Sequence, residues 1–172
     1  HRFDIDNALK AYQTLGNRSA LGILLNYSGK DLALLTNPTV SLRESVGYEG
    51  GSVVIGCIGA GNYASRVLIP AFREAGACLD TVVTSGGVSA VHHGNKNAFS
   101  TASTDAKTAY SSSSINTIVI ATQHNQHARQ VCDALISGKH VFVEKPLALS
   151  LEEIDEIEKA YDGQAGKCQL MV

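Results

Sequence analysis

Charge is scarce in this sequence. Asp, Glu, Lys and Arg make up 17% of its 172 residues, while 44% are hydrophobic; ordinary soluble domains carry about 25% charged residues. That balance excludes a disordered chain, a coiled coil and a collagen. Neither sign dominates, since 14 Lys+Arg stand against 16 Asp+Glu for a net charge of −2, so no basic field attracts nucleic acid. Apolar runs such as Val53 to Ile58 are broken by glycine and fall far short of the ~20 residues of a membrane-spanning helix. Paired cysteines are missing too. Cys57, Cys78, Cys132 and Cys168 lie far apart with no CxxC spacing, three of them inside apolar stretches, and read as reduced, buried fillers. With no recognisable signal peptide, that usage points to the cytoplasm. The first residue is His1, within an ordered-looking segment, as in a piece cut from a longer protein.

What is there suffices for one domain and a little more, at roughly 150 residues per domain. Asp6 to Leu15 has a helical pattern, with Ile5, Ala8, Leu9 and Tyr12 on one face and Gly16-Asn17 as the stop. Ala20 to Leu25 reads as an apolar strand. Periodicity then lapses, and residues 29–50, punctuated by Asn37-Pro38 and Gly50-Gly51, read as a linker. The acidity gathers at the end, where residues 151–172 carry six acidic and two basic groups.

From residue 51 a different regime begins. Val53 to Ile58, Leu79 to Thr84, Thr117 to Thr122 and His140 to Glu144 are apolar strand candidates. Helical patterns separate them over Ala64 to Ala75, Val88 to Phe99 and Ala128 to Ile136. Ser150 and Glu153 form a capping box opening an acidic helix with Leu151, Ile154 and Ile157 turned inward, and a last strand starts at Gln169. Near-continuous apolar strands alternating with helices imply a parallel sheet covered on both faces, a three-layer α/β/α arrangement. Such sheets bind ligands beyond the carboxyl ends of their strands.

Three polar motifs fall at those ends. Gly59-Ala60-Gly61-Asn62-Tyr63-Ala64 follows a strand and opens a helix. Gly59 permits a tight turn, Gly61 lets backbone N–H groups approach a pyrophosphate, and Ala64 allows close helix packing. An NAD site usually has an acidic residue about 20 positions further on. Here that region is Thr84-Ser85-Gly86-Gly87, and Asp80 sits at the wrong end of its strand. A 2′-phosphate is not repelled, so NADP is expected to be at least tolerated; Thr84 and Ser85 could bond it, with His92, His93 and Lys96 adding positive charge. The second motif is Thr122-Gln123-His124-Asn125-Gln126-His127, a hydroxyl, amides and imidazoles crowded at one strand end. His124 and His127 have no carboxylate or cysteine nearby, so no metal site is expected. The third is Glu144-Lys145-Pro146-Leu147. Pro146 keeps Lys145 extended and admits a cis bond. A lysine ending a buried strand has a movable pKa, useful for proton transfer.

Together, GAGNYA, TQHNQH and EKPL make residues 52–172 resemble the nucleotide-binding domain of the glucose–fructose oxidoreductase / inositol dehydrogenase / MocA (Gfo/Idh/MocA) family. The resemblance implies an α/β, Rossmann-type doubly wound parallel sheet with a short N-terminal helix-strand extension. It also implies NAD(P) held by Gly59, Gly61, Asn62, Tyr63, Ala64, Thr84, Ser85, Thr122, Gln123, His124, His127, Glu144, Lys145 and Pro146. Lys145 is the implied catalytic residue, touching substrate and nicotinamide ribose. The parent's implied reaction is hydride transfer at a CH–OH group of a sugar, cyclitol or nucleotide-sugar. Thr122-Gln123-His124 departs from the family's Thr-Pro-Asn loop, whereas His127 matches the histidine that closes it. Residues 1–28, from His1-Arg2-Phe3-Asp4 to the strand at Gly22, are similar to the C-terminal tail of a medium-chain, zinc-type alcohol dehydrogenase.

On this reading residues 51–172 bind cofactor without turning over substrate, because the family's substrate domain would follow Val172. Self-association into a homo-oligomer is expected through exposed apolar strands. A non-catalytic dinucleotide-sensing or scaffold module, and a non-sugar reductase sharing the nucleotide domain, stay open as alternatives.

Overall fold

The computed structural model describes residues 1–15, 22–27, 37–44 and 47–172. The chain divides into two compact units, His1–Asn37 and Pro38–Val172. In the first, β1 (Arg2–Asp4) pairs in parallel with β2 (Leu24–Asn26), Phe3 opposite Leu25. A 3-10 turn over Ile5–Asn7 leads into α1 (Ala8–Thr14). The anticipated apolar face is not interior: Leu9 and Tyr12 are exposed, and Ala11 is the buried residue. Two three-residue strands present too little surface to cover a helix face. The stop at Gly16-Asn17 and the start of the strand at Ala20-Leu21 lie outside the described residues.

The second unit is built on β3 (Thr39–Ser41), β4 (Val54–Ile58), β5 (Cys78–Val83), β6 (Thr101–Ser103), β7 (Thr117–Ile120), β8 (His140–Val143) and β9 (Leu170–Met171). Its helices are α2 (Ile69–Glu74), α3 (Gly87–Asn97), α4 (Lys107–Tyr110), α5 (His127–Ile136) and α6 (Leu151–Asp162). The strands form one sheet in the order β3-β6-β5-β4-β7-β8-β9. β3 is antiparallel to β6, and the other pairings are parallel. The chain winds outward from β4 in one direction and then, from β7, in the other. A crevice therefore opens at the carboxyl ends of β4 and β7, the topological switch point.

Burial explains why the strands read as continuous apolar runs. Every residue of β4 is buried. Val54 and Ile58 join the core formed with α5 and α6, while Ile55 and Cys57 join the core under α2 and α3. Side chains alternate between two covered faces. The fold is the doubly wound α/β architecture that the sequence implied.

Several local elements differ from expectation. The stretch read as a linker contains β3, and Leu42 just beyond it packs so closely on Gly94 of α3 that a Cβ at Gly94 would collide with a Leu42 methyl group. β6 and α4 carried no pattern, because Thr101-Ala102-Ser103 is polar. A triangle of hydroxyls from Thr39, Ser103 and Thr108 holds this edge together, at 2.9–3.1 Å. The helix after β4 begins as a π turn over Ala64–Leu68, where Ile69 N–H reaches back to the Ala64 carbonyl. Pro70 has no N–H to close the normal ladder to Arg66. Ser65 and Ile69 are buried across this turn, whereas Ala71 and Ala75 further along are exposed. In α6 the Ser150 hydroxyl accepts from Glu153 N–H, as expected of a cap, but Ile157 alone of the three anticipated core residues is buried. Leu151 and Ile154 are exposed. No helix among the described residues is long and apolar enough to cross a membrane.

Candidate functional site

The chain leaves β4 through a turn only glycine permits. Gly59 has φ 93°, in the left-handed region that side chains disfavour. Its N–H donates to the Val83 carbonyl at 2.8 Å. A Cβ there would be driven into the Ala121 carbonyl, 2.6 Å from its carbon atom. Gly61 is different in kind. A Cβ at Gly61 would meet no protein atom within 4 Å, so its bare backbone faces open space at the start of the following helix. Beneath the turn the Cys57 thiol donates to the Gly59 carbonyl at 3.3 Å. Complete burial pushes that thiol up to about 12, which makes it a packing group and not a nucleophile.

Ladder bonds bring the three motifs side by side. Ala121 N–H donates to the Ile58 carbonyl and Glu144 N–H to the Ile120 carbonyl, each at 2.9 Å. The glycine turn, the loop after β7 and the loop after β8 therefore line one continuous mouth, which holds two cavities. The larger, about 690 Å³, is lined by Gly59, Gly61, Thr84, Ser85, Thr122 and Gln123 among the anticipated residues. The smaller, about 300 Å³, is lined by Gly61, Asn62, Tyr63, Ala64, Thr122, His124, His127, Glu144 and Lys145. Thr122 and Gly61 belong to both. Pro146 lines neither; the Lys145–Pro146 peptide is cis, and the Pro146 carbonyl turns back to His127.

Two of these residues also bond within the protein. His127 is fully buried. Its Nδ1 lies 2.8 Å from the Pro146 carbonyl and its Nε2 3.2 Å from the Thr122 carbonyl. Both nitrogens are taken up by the protein's own backbone. Thr84 donates its hydroxyl proton to the Gly86 carbonyl at 2.7 Å, so it has none left for a phosphate. Ser85 and Ser89 supply the hydroxyls at that end of the larger cavity. His92, His93 and Lys96 are not among its lining residues. Burial, with His92 and Lys96 as further causes, lowers the His93 imidazole from its ordinary value.

Sequence reasoning missed Ser89, Thr104, Gln126 and Gln130 as lining residues. The Thr122 hydroxyl donates to Gln130 Oε1 at 2.6 Å, and Gln130 Nε2 donates to Gln126 Oε1 at 3.1 Å. The spacing of Gln126 and Gln130, four apart on one helical face, was the available signal. Lys145 is exposed at the cavity mouth. Among the described residues it makes no ion pair with Glu144, so its ammonium faces the smaller cavity without a competing carboxylate partner.

Comparison with known proteins agrees with this geometry. Residues 53–172 match the sequence profile of an oxidoreductase family with an NAD-binding Rossmann fold, Gfo/Idh/MocA. A glycosyl hydrolase family 109 protein from Akkermansia muciniphila is 39% identical over 54 residues, covering 31% of this chain and 11% of that protein. A 1,5-anhydro-D-fructose reductase from Ensifer adhaerens is 26% identical over 102 residues, covering 59% of this chain and 31% of that one. Among solved structures, a 3-ketoreductase from Actinomadura kijaniata in complex with TDP-benzene and NADP superposes with a TM-score of 0.63 at 17% identity. That match covers 70% of this chain and 37% of the other and shows a shared fold. The chain thus spans about a third or less of the length of these relatives. With the glycine turn at the switch point and the family profile matched over residues 53–172, the chain belongs to the Gfo/Idh/MocA oxidoreductase family and carries its NAD-binding Rossmann domain.

Proposed function

We propose that the mouth at the switch point binds NAD(P), with the adenosine half in the larger cavity and the nicotinamide ribose in the smaller. The observation that carries this reading is Gly61, whose backbone is left bare toward open space between the two cavities. Backbone N–H groups at a helix start suit a pyrophosphate, and a Cβ at Gly61 would fill the space the anion needs. No carboxylate lines the larger cavity among the described residues, and Ser85 and Ser89 face it, which supports acceptance of a 2′-phosphate.

The parent protein would then exchange a hydride with a CH–OH group of a sugar, cyclitol or nucleotide-sugar. When bound, the dinucleotide supplies or accepts that hydride. Lys145 would hold the substrate hydroxyl and move its proton, aided by the absence of an ion pair to Glu144. Asn62, Tyr63, His124 and Glu144 would enclose the nicotinamide end, and Gln123 the junction. The named activity of the anhydrofructose reductase relative supports the substrate class. Because the matches cover only about a third or less of the relatives' own lengths, these 172 residues are proposed to bind cofactor without turnover. Residues 1–28 are proposed to be the tail of a preceding, alcohol-dehydrogenase-like unit, supported by their place in a separate compact unit, with the second unit, Pro38–Val172, as the cofactor domain.

Titrating the chain with NADH and NADPH, followed by nicotinamide fluorescence, tests the reading. Saturable binding of both is expected, with NADPH no weaker. Tenfold tighter binding of NADH overturns the phosphate inference, and binding of neither overturns the whole. In the full-length protein, Lys145→Ala should retain binding and lose turnover. Unchanged turnover would favour a sensing or scaffold module.

A further inference from the structure

His127 is a polar ring with no exposed surface, placed at the first residue of α5 in the wall of the smaller cavity. Its ring touches two loops that the sheet alone does not connect beyond their ladder bonds. One is the loop after β7, through the Thr122 carbonyl. The other is the loop after β8, through the Pro146 carbonyl. Both acceptors are carbonyl oxygens, and a neutral imidazole carries one N–H. The Nδ1 contact is the shorter, 2.8 Å against 3.2 Å, and assigning the proton to Nδ1 makes Pro146 the hydrogen-bonded partner. Thr122 meanwhile lines both cavities and passes its hydroxyl proton to Gln130. Pro146 follows Lys145 directly. A shift of the imidazole would change the spacing of the loops that carry Thr122 and Lys145.

We infer that His127 is a positioning residue: it acts through the gap it sets between Thr122 and Lys145, and with it chiefly on affinity at the nicotinamide end. This rests on reading the smaller cavity as the nicotinamide end. The adenosine end shares Thr122 with it but takes its other groups from the glycine turn, Ser85 and Ser89, so a change at His127 should reach it less.

The test compares NADH with ADP, which occupies only the adenosine and phosphate portion, on the wild-type chain and on His127→Ala, His127→Asn and His127→Gln. An Asn amide falls near the Nδ1 position and a Gln amide near Nε2. His127→Ala should weaken NADH about tenfold, the cost of one lost hydrogen bond to a buried acceptor, and leave ADP within about twofold. His127→Asn should recover most of the loss and His127→Gln little. Equal weakening of NADH and ADP, or unchanged NADH affinity, overturns the inference. Rescue by Gln in preference to Asn overturns the assignment to Pro146. If the wild-type chain binds neither ligand, the dinucleotide reading fails by itself, and amide exchange of the ligand-free chain decides the tie. Faster exchange confined to Gln126 and Glu144 in His127→Ala, restored in His127→Asn, supports it; uniform acceleration overturns it.

Discussion

The two ends of the seven-stranded sheet spend their polar residues differently. At the amino ends of the strands they are consumed by one another. Buried Asp80 accepts from the Tyr48 hydroxyl at 3.1 Å, Ser114 at 3.2 Å and Thr81 at 2.7 Å. Buried Lys139 donates to the Ser112 and Ile115 carbonyls, both at 2.7 Å. Asn116 bonds Ser52 and Val54 across to β4. At the carboxyl ends, Ser85, Ser89, His124 and Lys145 face cavities instead. Buried polar groups must be paired, and those at the amino ends obey that rule within the protein. At the carboxyl ends Thr84, Thr122 and His127 bond within the protein, while the four cavity-lining side chains do not serve the sheet. The amino ends hold the fold together, and the carboxyl ends leave part of their polar set to the cavities.

If that division is real, substitutions should sort by end into stability losses and binding losses. Gly59 is where the division ought to break, because it is a folding residue at the binding end. Gly59→Ala places a side chain at positive φ and into the Ala121 carbonyl. A destabilisation of about 3–5 kcal/mol or failure to fold is expected, read from urea unfolding. A stable Gly59→Ala protein would mean that the turn relaxes freely. The amino end comes next. Asp80→Ala strips an acceptor from three hydroxyls and should cost about 2–4 kcal/mol in the same measurement, with NADH affinity unchanged in the folded fraction. Weakened NADH binding there would erase the distinction.

Gly61→Ala is the sharper test at the binding end. Its Cβ has open space and its backbone has an ordinary φ, so stability should change by no more than about 0.5 kcal/mol. NADH and ADP affinity should both fall at least tenfold, because the new methyl group occupies the approach to the backbone amides. Stability loss without binding loss would place the pyrophosphate elsewhere.

The binding end was legible in the sequence where chemistry needs unusual residues in fixed order. A buried strand running into Gly59 and Gly61, and a lysine closing a second buried strand, each combine apolar context with a residue that the context disfavours. The architecture was legible for the same reason, since strands covered on both faces must be apolar throughout. What was hidden depends on partners distant in sequence. β3 and β6 are short and polar because hydroxyls of Thr39, Ser103 and Thr108 satisfy one another across the edge. Leu151 and Ile154 fit a helical face, but the surface they need is absent from the described residues, so they stay exposed. His127 shares a motif with exposed His124, and only the fold shows that one faces the cavity while the other ties two loops together. Thr84 likewise looked free until its turn claimed its proton.

The smallest expected effect concerns pH and separates the two ends by their thresholds. Burial raises the Cys57 thiol from 9.0 to about 12 beneath the glycine turn. At the amino end, burial, with Asp80 as a further cause, raises the Tyr48 hydroxyl above its usual 10.0. Burial also raises Tyr110. In each case the folded protein holds its proton to higher pH than the unfolded chain. The unfolded state therefore releases protons first, and stability falls with rising pH. Cys57, fully buried, contributes a slope of up to about 1.4 kcal/mol per pH unit between its two values. Cys57 begins to act near pH 9, and the tyrosines join above pH 10. Cys132, raised by burial with Glu156 and Asp133 contributing, adds a weaker slope in the first interval. Urea midpoints should thus fall from pH 8.5 to 10 in the wild-type chain, and Cys57→Ala should flatten most of that decline while sharing the steeper fall above pH 10. An unchanged slope in Cys57→Ala would mean that the thiol beneath the turn is open to solvent, and that the binding end is looser than its hydrogen bond to the Gly59 carbonyl implies.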